Sequence, residues 1–149
     1  PSMLEEEIHK ATRYFVRYAL SIPKLEITEM EAKQEAEGIY RVSAVISNRG
    51  YMPTYGTQRA IEMQKSDEIV AEITAPNGLL EGKSPRKIGH LGGYSGIGTS
   101  PVMGAFMMVK ANEPCAKRVS YLVYGKPGDR IALMAAAPKA GTATASLVL

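Results

Sequence analysis

The 149-residue sequence has one cysteine, no tryptophan, two phenylalanines and two histidines. A single cysteine makes no internal disulfide, so the fold is not held by crosslinks. A protein-only zinc site draws three or four ligands from cysteine, histidine and carboxylates, so with only His9, His90 and Cys115 a self-contained site is not expected unless it is rich in carboxylates. Uninterrupted apolar runs are also missing, and none approaches the roughly 18 to 20 residues of a transmembrane helix. Glu5, Glu6 and Glu7 stand where a secretory signal would carry basic residues. The chain opens at Pro1 rather than methionine, as expected of an excised or processed fragment.

What is present suits one folded domain. The length falls in the single-domain range, and 14 glycines with nine prolines are too few for a collagen-like or disordered chain. Charge is unevenly spread: residues 1–37 carry eight acids and five bases, net −3, and the rest thirteen bases and seven acids, net +6. The bases of the second part are interleaved with acids rather than gathered into the stripe that a phosphate backbone requires. Neither nucleic acid nor membrane is expected as a partner.

Periodicity divides the chain in two. Leu4, Ile8, Ala11, Phe15, Tyr18 and Ile22 recur in alternating steps of four and three, which defines one face of a helix that Pro23 ends. Tyr14 and Val16 widen the apolar stripe, so the helix calls for something to pack against, either its own domain or a neighbour. After Pro23 the period falls to two. Leu25 and Ile27 alternate with Glu26 and Thr28, then Tyr40, Val42, Ala44 and Ile46 point one way while Arg41, Ser43 and Ser47 point the other, and the polar stretch Lys33–Gly38 reads as the hairpin connection. Thr57–Gln64, Ile69–Thr74 and Arg86–Leu91 are further candidate strands. Val119, Tyr121 and Val123, then Ile131, Leu133 and Ala135, then Ala143, Ala145, Leu147 and Leu149 complete the pattern, with turns at Gly125–Asp129 and Pro138–Gly141. Short strands without interposed helices predict a mainly β fold: an antiparallel β-sandwich of immunoglobulin or prealbumin type, residues 23–149, preceded by one helix, residues 1–22.

Two motifs suggest chemistry and lack its requirements. The glycine-rich run from Gly89 to Ser100 resembles a phosphate loop, yet Gly98 rather than lysine precedes Thr99, and Pro101 follows within two residues. A mobile loop is the simpler reading. Cys115 and His90 could pair as nucleophile and base, but no spacing brings them together or supplies an orienting third group. Asn48-Arg49-Gly50-Tyr51-Met52-Pro53-Thr54, with Thr57 beyond it, ends the best strand. Asn48 suits a turn it opens, Gly50 tolerates positive φ and Pro53 holds an extended corner.

This stretch, led by Gly38-Ile39-Tyr40-Arg41-Val42, resembles the C-terminal β-sandwich domain of bacterial zinc carboxypeptidases of the carboxypeptidase A type. Ile88-Gly89-His90-Leu91-Gly92-Gly93 is similar to that family's glycine-bounded His-Leu segment, and Gly125, Gly128, Ile131-Ala132-Leu133 and Lys139-Ala140-Gly141 fit its close. Where the family carries a tryptophan, in the strand holding Val119–Tyr124, this chain has Tyr121. The resemblance spans about residues 20–149, with residues 1–22 resembling the helical lead-in from the peptidase domain.

The resemblance implies a non-catalytic accessory domain that packs on and supports a preceding carboxypeptidase domain of the same chain. Zinc is expected in that catalytic domain and no cofactor in this part. Thr12 and Gly93 stand three residues after His9 and His90, so neither histidine begins the family's His-x-x-Glu zinc pair, and no catalytic or metal-binding role carries over. The candidate docking or structural motif is Asn48, Gly50, Tyr51, Pro53, Thr54, Thr57, His90 and Tyr94, within the loops Asn48–Thr57 and Gly89–Ser100. An independent carbohydrate- or peptide-binding module using exposed tyrosines is the alternative, and a small enzyme using Cys115 or His90 a third.

Overall fold

A computed structural model describes residues 2–96, 101–106 and 112–149. Helix α1 (Ser2–Ser21) leads into strands β1 (Leu25–Ala36) and β2 (Ile39–Asn48) and the short helix α2 (Gln58–Glu62). Then come β3 (Val70–Thr74), β4 (Leu79–Glu81), β5 (Arg86–Lys87), α3 (Pro101–Phe106), β6 (Ala116–Tyr124), β7 (Arg130–Ala137) and β8 (Gly141–Val148). The strands form two antiparallel four-stranded sheets, ordered β1-β2-β6-β4 and β5-β3-β7-β8. The chain is therefore a β-sandwich led by a helix, as its periodicity predicts.

Alternation builds the core. Tyr40, Val42, Ala44 and Ile46 of β2 lie beside Val119, Tyr121 and Val123 of β6, and all seven are buried. Ala71 and Ile73 of β3 with Ile131, Leu133 and Ala135 of β7 supply the opposing face. Each large side chain so buried contributes about 1.5–3 kcal/mol. Ala143, Ala145, Leu147 and Leu149 share one face as expected but remain half-buried, because β8 is an edge strand. On that side the sheets approach each other, and the Leu25 amide donates to the Ala140 carbonyl at 3.1 Å. On the other side β4 and β5 are both edge strands, joined by the crossing at residues 82–85.

Three strand expectations need correction. Thr57–Gln64 contains α2, because Gln58, Arg59, Ala60 and Glu62 are good helix formers and no residue of the helix is buried to enforce a strand. Lys33–Gly38 is not all connection. Lys33, Gln34 and Ala36 pair with Arg41, Tyr40 and Ile39, extending a ribbon that backbone bonds and the Glu35–Arg41 ion pair (2.9 Å) sustain without burial. Arg86–Leu91 shortens to β5, although Ile88 and Gly89 still bond Ile69 at 2.9 and 3.0 Å.

Candidate functional site

The helix and the sandwich meet at a polar clamp whose centre is Asn48, 1% exposed at the end of β2. Its Oδ1 accepts from the backbone amides of Lys24 (3.0 Å) and Gly50 (2.9 Å). Its Nδ2 donates to the carbonyls of Met52 and Gly92, both at 2.8 Å. One side chain thus ties the α1–β1 junction, its own turn and the segment after His90. Asparagine is suited to this work because it offers both acceptor and donor with no charge to desolvate.

Neighbouring residues complete the clamp. The Met52 amide donates to the Ser21 carbonyl at 2.9 Å, and the Arg49 amide to the Lys24 carbonyl at 2.8 Å. A β-carbon on Gly50 would stand 2.3 Å from the Ile22 carbonyl oxygen, and one on Gly93 2.3 Å from that of Tyr51. Both glycines are there because backbone passes against backbone. Thr54 is buried and bonds Leu91 twice through Oγ1, accepting from its amide (3.0 Å) and donating to its carbonyl (3.3 Å). Tyr55, wholly buried, meets the His90 ring edge-on at 5.6 Å.

The candidate residues therefore separate. Asn48, Gly50, Pro53 and Thr54 are buried and His90 is half-buried against Tyr55, so these five hold the fold rather than offer a surface. Tyr51, Thr57 and Tyr94 are exposed. Tyr51 and Tyr94 lie on loops bonded to each other, the Tyr94 amide to the Gly50 carbonyl at 3.3 Å and the Ser95 amide to the Tyr51 carbonyl at 2.9 Å. Residues 97–100 of the expected docking loop lie outside the described residues.

Of the two partners open to the helix in the sequence, its own domain or a neighbour, the structure leaves its apolar face uncovered by its own domain. Every side chain from Met3 to Leu20 is exposed, including Leu4, Ile8, Phe15 and Tyr18 of the periodic face. The helix does not lie on its own sandwich. Twenty residues extend about 30 Å at 1.5 Å per residue. A cavity of about 390 Å³ continues this face at the foot of α1, where Leu20 and Ile22 meet Lys24, Arg49, Lys139 and Ala140. Arg49 is held by Glu26 at 2.6 Å, and Lys139 by the Tyr55 carbonyl at 2.9 Å. The clamp aims an apolar helix with a basic foot away from the body.

Cys115 has the opposite of an activated thiol. Burial, and then the nearby Glu113 carboxylate, raise its pKa, so it stays protonated where a nucleophile would need to be thiolate. Among the described residues, no three or more His, Cys, Asp or Glu side chains are grouped to hold a metal, and no helix is long and apolar enough to cross a membrane.

The profile of a family described as a domain of unknown function (DUF8731) matches residues 24–148. No curated protein matches the chain.

Proposed function

The chain belongs to the DUF8731 family through the whole of its sandwich, and on that premise we propose that it is a non-catalytic accessory domain that docks onto a catalytic domain through α1. The observation that carries this reading is an apolar helical face, exposed along its length, on an element whose C-terminal end is locked to the sandwich by Asn48 and Gly50. An isolated helix of this length is marginal in water, and large apolar patches on soluble domains mark interaction surfaces. The family-like order of turns makes a zinc carboxypeptidase domain the proposed neighbour, with zinc held there.

The test places Ile8→Asp and Phe15→Asp together in a chain that carries the neighbouring domain. Loss of thermal stability and of peptide cleavage is expected, while the sandwich alone keeps its melting temperature. Unchanged stability and cleavage of the larger chain would refute docking through this face. If the coding sequence before Pro1 lacks a His-x-x-Glu pair followed by a distant histidine, the carboxypeptidase identity fails even where docking stands.

The alternative, a carbohydrate- or peptide-binding module, draws on Tyr51 and Tyr94, about half exposed on adjoining loops. Aromatic faces so placed suit sugar rings or extended peptides. Quenching of tyrosine fluorescence by a panel of oligosaccharides and peptides, lost in Tyr51→Ala, is the result that would favour it.

A further inference from the structure

The stripe on α1 has the spacing of a helix pair. Leu4, Ile8, Ala11, Phe15, Tyr18 and Ile22 alternate steps of four and three, the a and d positions of a coiled-coil seam, and all six are exposed. Tyr14 widens this surface, its ring meeting Phe15 edge-on at 5.8 Å and stacking on Tyr18 at 6.5 Å. Together these residues leave roughly 700 Å² of apolar surface per copy for burial, close to the ~800 Å² per partner of a standard interface.

Charge changes sign along the same element. Glu5, Glu6 and Glu7 open the helix, and the one base beside them, Lys10, bonds Glu6 (2.9 Å) and Glu7 (3.0 Å), so this end stays net negative. The second half carries Arg13 and Arg17 and no acid. Below it, the cavity of about 390 Å³ that receives Ile22 is rimmed by Lys24, Arg49 and Lys139. Arg49 is paired with Glu26, whereas Lys139 donates to a carbonyl, so the foot is net positive. The helix is acidic at its free end and basic where it joins the sandwich.

We propose that two copies of this chain pair through α1 in antiparallel orientation. One register sets Leu4 against Ile22 of the second copy, Ile8 against its Tyr18 and Ala11 against its Phe15, so every stripe residue is used and the small Ala11 meets a bulky ring. The acidic end of each helix then lies beside the basic foot of the other, and the two sandwiches stand at opposite ends of the pair. A parallel pair would bring acid to acid, foot to foot and Phe15 to Phe15. The antiparallel contact is isologous, and its two-fold axis closes the assembly at a dimer. The pairing uses the face that docking uses but does not require docking. The two occupants exclude each other, so a neighbouring domain seated on α1 displaces the second copy.

Sedimentation equilibrium of the full chain tests the pairing. A reversible dimer is expected with a Kd on the order of 10 μM, and Ile8→Asp with Phe15→Asp leaves only monomer while the sandwich stays folded. Orientation is read by crosslinking in a Cys115→Ser background, with Ile8→Cys and Tyr18→Cys chains mixed under oxidised glutathione. The mixed disulfide is expected, because the antiparallel register sets the two Ile8 positions about 15 Å apart along the axis. Only monomer at about 100 μM, a dimer that survives both aspartates, or an Ile8→Cys chain that crosslinks to itself each overturns the proposal. In a chain that carries the neighbouring domain the mixed crosslink is expected to disappear. Its persistence there would refute docking through this face and leave the pairing standing.

Discussion

Replacing Asn48 by alanine is the sharpest perturbation of this fold. The substitution removes four hydrogen bonds of 2.8–3.0 Å from a residue that is 1% exposed. It leaves two amides, of Lys24 and Gly50, and two carbonyls, of Met52 and Gly92, without their side-chain partner. At a net 0.5–1.5 kcal/mol per bond, with water reaching the partly buried bonds to Lys24 and Met52, the expected loss is about 3–5 kcal/mol. That is a large share of the 5–15 kcal/mol that holds a domain together. Urea unfolding measures it. With a slope of about 2 kcal/mol per molar, the midpoint falls by about 2 M while the slope is retained. Hydrogen exchange adds a local readout, since the Gly50 and Lys24 amides lose protection before the core strands do. A midpoint shift below about 0.5 M, or unchanged exchange at both amides, would refute the view of Asn48 as the tie between helix junction, turn and glycine segment.

Gly50→Ala tests the close approach separately. The new β-carbon would meet the Ile22 carbonyl oxygen at 2.3 Å and Pro23 Cα at 2.5 Å, both backbone, so no rotamer change relieves it, and thermal unfolding should show a loss of about 2–3 kcal/mol. Cys115 should react with iodoacetamide along a pH profile whose midpoint lies above that of an ordinary thiol. Because the Glu113 charge disfavours the thiolate, Glu113→Gln should move that midpoint down. A midpoint at or below the ordinary value would mean that the thiol is activated after all.

The long strands and the helix were legible because their side chains obey one period each. Val42, Ala44 and Ile46, or Ile131, Leu133 and Ala135, recur at every second position and occupy the buried face that alternation assigns them. Where burial does not act, periodicity is silent. The outer half of β1 pairs through its backbone with exposed side chains, and α2 buries nothing, so neither left a readable signal. β4 escaped notice because three residues, half-buried or exposed, make no pattern. The motif residues were legible as special but not as to purpose. Asn48, Gly50 and Thr54 suggested a turn and a surface, whereas their partners lie up to 44 residues away in the chain.

What the sequence by itself determined is the helix, the five long strands and the absence of a His-x-x-Glu pair, since each depends only on local order and composition. Only the tertiary structure decided that α1 stands clear of its own sandwich, that the conspicuous Asn-x-Gly motif is an internal clamp, and that Lys24, Arg49 and Lys139 share one cavity at the foot of α1. Those relations are set by which segments pack together, and contact between distant segments leaves no periodic trace in the chain.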